Sequence, residues 1–320
     1  MLYEDIGVIP LLTKTPRTPT LDFMEKCSDF IVVEKSFLPS HESGNLHAYY
    51  LVKSGISTEK VKRILKNFGY KGEFFYYGMK DSDSLSVQKV VLSDRWEKEC
   101  ICGKAKLIYM GRTLFKPKKG GFDHNFFAIK FPKHENVYET LRELKKLTIF
   151  PNFYGHQRFG RKHPLNHEIA VELLNENKLN TRTWRGRILA ESLQSYIFNR
   201  CLSRLISKGV FENKMGILLG NGYEEALKKT NVSLMHYQCS IEMANELGVL
   251  RQMTTRKFLK NQFRPLFIDT PLVGNYESRG KIIATLIMPP GSYASIVIRE
   301  IFKDDEEWIY RKCLPERVCF

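Results

Sequence analysis

The stretch "HAYYLVKSGISTEKVKRILKNFG", residues 47–69, decides the fold class because it changes its pattern once. Its first seven residues are typical of a β-strand. From residue 57 onward, apolar side chains recur at one-turn spacing as far as Phe68, and Gly69 is a typical helix stop. A strand that leads directly into an amphipathic helix predicts a domain that contains both kinds of element.

The residues on either side extend this mixed pattern. Strands are predicted at "DFIVVEK" (29–35), "AKLIYM" (105–110) and "NFFAIKF" (125–131), and a second helix is predicted at "NVYETLRELKKL" (136–147). Strands with interspersed helices and short loops are typical of an α+β domain. We therefore predict a mixed, mostly antiparallel sheet with flanking helices.

The character of the chain changes in its second half. Two apolar-striped helices are predicted at "NHEIAVELLNEN" (166–177) and "RILAESLQSYIFNRCLSRLISKG" (187–209). Strands are predicted again at "KIIATLIM" (281–288) and "SYASIVIREIF" (292–302). Strands, then helices, then strands predict an inserted domain. We assign residues 1–160 plus 271–320 to the sheet domain and residues 161–270 to a mostly helical insertion.

Charge is the most informative bulk property. The 320 residues include 50 basic and 35 acidic side chains, a formal net charge of +15. Such an excess indicates a polyanionic partner, most often nucleic acid, although a generally basic proteome is the alternative. No apolar run reaches the length of a membrane span, and the N-terminus does not resemble a signal peptide. Seven cysteines predict reduced thiols rather than a disulfide framework.

Three segments carry candidate functional residues. In "FPNFYGHQRFGRKH" (150–163), aromatic rings alternate with bases and amides, as an unstacked RNA base requires, although burial under a loop would explain the rings equally well. In "GMKDSDSLSVQ" (78–88), Asp81 is either a solvated turn residue or a carboxylate that does chemistry. Candidate phosphate contacts lie in a basic loop and on one helix face, whose alternative is a solvated surface: Lys116, Lys118, Lys119, Arg200, Arg204 and Lys208.

Three motifs, in order along the chain, resemble the TruD family of pseudouridine synthases (tRNA pseudouridine synthase D). "GMKDSDSLSVQ" resembles the family signature G-x-K-D-x-x-A-x-T-x-Q, and "PNFYGHQRFG" resembles N-[YF]-[FY]-G-x-Q-R-F-G. "MPPGSYASIVIREI" (288–301) resembles L-P-x-G-S-Y-A-T-x-x-[LV]-R-E-[IL]. Weaker similarities include "DFIVVE", Asn125 and "RPLF". Together the matches cover most of the chain.

The resemblance implies a pseudouridine synthase catalytic domain that a helical insertion interrupts, with RNA bound in the cleft between the two. It implies isomerisation of uridine to pseudouridine, at uridine 13 of tRNA, without metal or organic cofactor. The family's essential aspartate falls on Asp81, which would attack the ribose C1′ or abstract a proton to form a glycal. The same resemblance implies substrate contacts for Lys80, Gln88, Asn152, Tyr154, Gln157 and Arg158, with Asn152 positioning the flipped base and Tyr154 stacking on it.

Two alternatives remain open at this point. The family usually has a lysine where this chain has Met24, with Lys26 nearby, so an inactive RNA-binding relative is one alternative. The same chemistry on another tRNA position or on a small nuclear RNA is the other. We expect a monomer that binds tRNA and no membrane, in the cytoplasm, or in the nucleus if the source is a eukaryote.

Overall fold

A computed structural model describes residues 2–78, 80, 82–118, 120–160, 162–222, 231–255, 259–303 and 307–319. The chain divides into two compact units. The sheet unit comprises residues 18–145, 271–291 and 310–320, and the helical unit comprises residues 1–17, 146–270 and 292–309. The predicted α+β class is confirmed, because strands and helices occur together and the first unit is built on a mixed sheet.

The strands lie in both units. In chain order they are β1 (Phe30–Lys35), β2 (Leu46–Ser54), β3 (Phe74–Tyr76), β4 (Leu85–Leu92), β5 (Cys100–Cys102), β6 (Ala105–Thr113), β7 (His124–Pro132), β8 (Ile149–Pro151), β9 (Met215–Leu218), β10 (Gln262–Pro265), β11 (Phe267–Asp269), β12 (Leu272–Ser278) and β13 (Lys281–Met288). The helices are α1 (Thr58–Asn67), α2 (Glu135–Lys146), α3 (Asn166–Asn175), α4 (Trp184–Ser207), α5 (Leu234–Glu246), α6 (Leu250–Thr255) and α7 (Ala294–Phe302).

A nine-stranded sheet forms the sheet unit, in the order β12-β13-β7-β1-β4-β2-β6-β5, with β3 paired to β4. β1 and β4 run parallel, whereas the other pairs of this sheet are antiparallel. Burial alternates strictly along β7, as expected for a strand with one face on a core. The parallel pairing aligns Ile31–Val33 of β1 with Leu85–Val87, the last part of the "GMKDSDSLSVQ" segment.

The helix α1 forms where its periodicity predicts it. The Ser57 side chain accepts a hydrogen bond from the backbone amide of Lys60 and caps the first turn. Val61 and Leu65 are fully buried in a core that they share with side chains of the sheet. Gly69 has φ = 90°, a left-handed conformation that suits glycine and ends the helix.

The helical unit is built around α4, whose 24 residues include 15 that are buried. Leu189, Leu193 and Ile197 lie in one core with Leu174 of α3 and Met243 of α5. Two short antiparallel pairs, β9 with β10 and β8 with β11, complete the unit. The two-stranded pairs hold residues 149–151 and 262–269 at fixed register, and these residues flank the "PNFYGHQRFG" segment and its partners.

The strand predicted at residues 292–302 is wrong, because Ala294–Phe302 forms α7. β-Branched residues are abundant here and favour a strand locally. All nine residues of the helix are buried, including the polar Ser295, Arg299 and Glu300, so its polar residues do not mark a solvent-exposed face. Tertiary packing therefore overrides local propensity at this segment.

The prediction of reduced thiols is wrong for six of the seven cysteines. The structure contains the disulfides Cys27–Cys313, Cys100–Cys319 and Cys201–Cys239, and Cys102 is free. The first pair joins residues 286 positions apart, because the C-terminal segment returns beside residues 25–27. There the backbone amide of Cys27 donates to the carbonyl oxygen of Leu314. The number of cysteines in a sequence does not reveal that two distant segments of the chain lie side by side.

The predicted domain limits, 1–160 plus 271–320 against 161–270, stay a prediction. The two compact units place residues 1–17, 146–160 and 292–309 with the helical residues instead of the sheet. Within the described ranges, no helix is both long and apolar enough to cross a membrane.

Candidate active site

The predicted catalytic residue, Asp81, lies outside the described residues, as does Met79. Gly78 and Lys80, on either side of Met79, are described, and so are residues 82–92, which lead into β4. The described part of the site in the sheet unit consists of Gly78, Lys80 and the side chains that hold them in place.

The Lys80 side chain is buried rather than directed to solvent. Its ammonium nitrogen lies 2.8 Å from a carboxylate oxygen of Glu34, and both side chains are at most 6% exposed. The same nitrogen donates a hydrogen bond to the side-chain oxygen of Asn125 at 2.9 Å. It also lies 4.3 Å from the ring centroid of Phe122, a cation–π distance. These contacts give Lys80 a role in fixing the segment, and its predicted contact with substrate stays a prediction.

Two buried side chains hold the backbone on either side of Met79. The ammonium group of Lys53, on β2, donates to the carbonyl oxygen of Lys80 at 3.1 Å. The Gln88 amide donates to the carbonyl oxygen of Gly78 at 3.1 Å and accepts from the Thr58 hydroxyl at 2.8 Å. The carbonyl of Lys80 belongs to the peptide bond that joins it to Asp81. The buried ammonium group of Lys53 therefore lies at this peptide bond.

Glu34 is an acidic group under strong desolvation. Burial raises the pKa of its carboxyl above 4.5, and this effect outweighs the opposing charge of Lys80 and weaker interactions with Lys89. Glu34 is the last residue but one of β1, which pairs with β4. The pair Glu34–Lys80 consequently ties the predicted catalytic segment to the middle of the sheet.

Met24 occupies the position at which the family usually has a lysine. Met24 is buried, whereas Lys26 is exposed and its backbone pairs with Leu314 of the C-terminal segment. Lys53 was not singled out by its sequence pattern. The signal that could have found it is a lysine at the end of an otherwise apolar strand, where alternation predicts burial.

In the helical unit, Asn152 is buried, and both the oxygen and the nitrogen of its side-chain amide are hydrogen-bonded. Its oxygen accepts hydrogen bonds from the Arg264 guanidinium at 2.6 Å and from the Ser292 hydroxyl at 2.9 Å. Its nitrogen donates to the carbonyl oxygen of Pro265 at 3.1 Å. Arg264 also donates to the backbone oxygen of Asn152 at 2.8 Å. Positioning of a base by Asn152 stays a prediction.

Tyr154 is only 8% exposed, and a cation occupies one side of its ring. The Arg264 guanidinium carbon lies 4.1 Å from the ring centroid. Asn199 accepts a hydrogen bond from the backbone amide of Tyr154 at 2.8 Å and donates to its carbonyl oxygen at 3.0 Å. Stacking of Tyr154 on a base stays a prediction. The contacts show that the ring is also part of the packing around Arg264, a residue that only the weak "RPLF" similarity had indicated.

We expect Tyr154→Ala to lower the free energy of unfolding by about 3–5 kcal/mol, because it leaves a cavity beside Arg264. Tyr154→Phe keeps the ring and removes the hydroxyl, which is hydrogen-bonded to the Arg264 side chain, so it should cost about 1 kcal/mol. Urea unfolding of the three proteins measures both values. Tyr276→Ala is the matched control, since Tyr276 is 55% exposed and its removal leaves no cavity. Equal stability of the Ala and Phe variants would contradict a packing role for the ring.

The other two predicted substrate contacts of this segment differ from each other. Gln157 is exposed. Arg158 lies 2.9 Å from a carboxylate oxygen of Glu191 and donates to the Ser195 hydroxyl at 3.2 Å. An RNA phosphate would have to compete with Glu191 for this guanidinium. Gln157 is therefore the more accessible of the two for an RNA ligand.

The predicted phosphate contacts are not equivalent either. Arg204 lies within 4 Å of carboxylates of both Glu242 and Glu246, so acidic groups already balance its charge. Lys116 is exposed and lies 3.5 Å from Glu73. Lys118 and Lys208 are exposed, Arg200 is half-buried, and Lys119 lies outside the described residues. The helix face of Arg200, Arg204 and Lys208 is thus a weaker candidate for RNA than its spacing suggested.

Comparison with known proteins agrees with these motifs. A sequence model of the family described as tRNA pseudouridine synthase D (TruD) matches residues 6–181. The chain is 31% identical over 199 residues to tRNA pseudouridine synthase D of Helicobacter acinonychis, a match that covers 57% of this chain. The chain therefore spans only about half (51%) of the length of that relative.

A second relative matches over more of its length. The chain is 28% identical over 306 residues to tRNA pseudouridine synthase D of Helicobacter pylori strain J99, which covers 92% of this chain and 71% of that protein. The crystal structure of the putative tRNA pseudouridine synthase D (TruD) from Methanosarcina mazei matches with a TM-score of 0.66 at 19% identity. This match covers 94% of this chain and 97% of that one, and it supports the fold.

Proposed function

Because the chain belongs to the tRNA pseudouridine synthase D (TruD) family, we propose that it isomerises uridine to pseudouridine in tRNA, at uridine 13. The observation that carries the proposal is the family match over residues 6–181, which includes both "GMKDSDSLSVQ" and "PNFYGHQRFG". The net charge of +15 supports a polyanionic substrate. The activity is that of an isomerase, since product and substrate contain the same atoms.

The reaction we propose breaks the bond between N1 of uracil and C1′ of the ribose, turns the base and joins C5 to C1′. The proton on C5 is lost and N1 gains one, so no oxidant, metal or organic cofactor is needed. Asp81 is the proposed catalytic residue. Its carboxylate would either attack C1′ or remove the C2′ proton to form a glycal, and both routes require the ionised form.

The side chains around the segment support this role for Asp81. A positive charge near a carboxylate favours its ionised form. Lys53 holds an ammonium group at the carbonyl of Lys80, the residue that precedes Asp81. The lysine that the family usually has at the position of Met24 is absent, and we propose that Lys53 compensates for this absence. An inactive RNA-binding relative, favoured by Met24 alone, is the second candidate.

Mapping of carbodiimide-reactive pseudouridines in total RNA, after incubation with the purified protein, tests the proposal. We expect a single new site at uridine 13 of tRNA. New sites elsewhere would retain the chemistry and reject the position. Binding of tRNA without any new site would support the inactive relative instead.

A further inference from the structure

The helix α1 carries three exposed cations on one side: Lys60, Arg63 and Lys66. We call these three residues the α1 surface. Residues three apart on a helix are neighbours, so their charges form a continuous stripe. The stripe rises about 9 Å along the helix axis.

These three cations differ from Arg204 and Lys116, each of which has at least one acidic partner. Among the described residues, no carboxylate lies within ion-pair distance of Lys60, Arg63 or Lys66, whereas Arg204 and Lys116 both have one. Glu59, on the same helix, is hydrogen-bonded to the Tyr76 hydroxyl. The charge of the α1 surface is therefore available to an external anion.

Helix stability alone does not explain the stripe. Lys60 is the third residue of α1, where the helix dipole disfavours a positive charge. Lys66, in the last turn, is the only one of the three whose charge the dipole favours. An anionic ligand would offset the unfavourable position of Lys60.

The start of α1 is connected to the segment that leads to Asp81. Thr58, the first residue of the helix, donates to the side-chain oxygen of Gln88, and Gln88 donates to the carbonyl oxygen of Gly78. The helix runs from this point along its axis to Asn67. A polyanion that enters near Gly78 would meet Lys60 first and Lys66 last. Phe68, 62% exposed at the end of the helix, adds a ring on which a base could stack.

We propose that the α1 surface binds backbone phosphates of the RNA substrate beside the Gly78–Gln88 segment, an inference that rests on the proposed function. The contacts are with phosphate, so they add affinity without reading sequence. Each contact releases counterions and contributes about 0.7–0.9 to the slope of log affinity against log salt.

The test compares two triple variants with the wild type. Lys60→Gln, Arg63→Gln and Lys66→Gln remove the α1 surface. Arg142→Gln, Lys145→Gln and Lys146→Gln remove the same charge from exposed positions of α2, where Glu135 and Glu139 are interspersed. Affinity for a tRNA transcript is measured between about 50 and 200 mM salt, with circular dichroism to confirm folding.

We expect the α1 variant to lower the salt slope by about 2–3 and the affinity at 0.15 M salt by about 100-fold, while the α2 variant keeps the wild-type slope. Equal slopes for the two variants would overturn the proposal. Loss of binding to phosphatidylserine vesicles with unchanged tRNA binding would also overturn it and assign the surface to a membrane. Pseudouridine formation by the wild type on the same transcript is measured first, so failure of the proposed function is seen separately.

Discussion

Asp81→Asn should form no pseudouridine above background, although it binds tRNA with nearly unchanged affinity. Asparagine serves a turn as well as aspartate does, so the fold should be retained. It lacks the second carboxylate oxygen and the negative charge that attack on C1′ or proton removal requires. Tritium release from a transcript labelled with 5-³H-uridine measures turnover, and circular dichroism confirms folding.

Asp83→Asn is the matched control for this variant. Asp83 lies two residues further on, at a position where the family signature has no acid. Its substitution makes the same change of charge in the same segment and should leave turnover at the wild-type level. Wild-type turnover by Asp81→Asn, or loss of activity confined to Asp83→Asn, would remove Asp81 from the proposed mechanism.

Lys80→Met should lower the free energy of unfolding by about 3–5 kcal/mol at neutral pH, because it leaves the buried carboxylate of Glu34 without its cation. The double variant Lys80→Met, Glu34→Gln should recover most of this loss, since it removes both charges. Urea unfolding measures the three free energies. If the double variant were no more stable than Lys80→Met, desolvation of Glu34 would not be the cause.

The loss of stability in Lys80→Met should depend on pH in a defined direction. The pKa of Glu34 is raised above 4.5 in the folded protein, so the folded state binds this proton more tightly than the unfolded state. Stability contributed by such a group falls as pH rises through the window above 4.5. Lys80 lowers the pKa of Glu34, so in Lys80→Met this pKa is higher and the carboxyl stays protonated, and therefore neutral, up to a higher pH. The destabilisation caused by Lys80→Met should therefore be smaller at pH about 5 than at pH about 7.5.

A surface ion pair provides the control for this pH dependence. Lys133 lies 2.7 Å from Glu277, but both side chains are largely exposed. Water and salt screen such pairs, so Lys133→Met should change stability little at either pH. A comparable loss for Lys133→Met would indicate a general effect of charge rather than burial of the Glu34–Lys80 pair.

Local pattern predicted the elements that have one apolar and one polar face. The helix expected at residues 57–69 is Thr58–Asn67, and the strand expected at residues 125–131 lies within His124–Pro132, whose burial alternates. Periodicity records which face is buried, so it predicts an element well when the other face meets water. The segment at residues 292–302 has no such contrast, and its strand prediction was wrong.

Motifs identified the family but not the partners of their own residues. "PNFYGHQRFG" indicated Asn152 and Tyr154, whereas Arg264, which contacts both, lies 112 residues beyond Asn152. Lys53, at the Lys80 carbonyl, is likewise absent from the signature around Asp81. A motif records residue types close together in the chain, and it contains no information on which distant side chain fills the space beside them.

The sequence by itself determined the α+β class, the basic charge, the family and the residue proposed to be catalytic, since each depends on residue types or on patterns within one segment. The tertiary structure alone decided that Lys80 is buried against Glu34, that Glu242 and Glu246 offset the charge of Arg204, and that the α1 surface lacks such partners. These outcomes depend on distances between residues far apart in the chain. Basic residues that look alike in the sequence differ in the folded protein, because one is buried, a second is paired with carboxylates and a third is exposed.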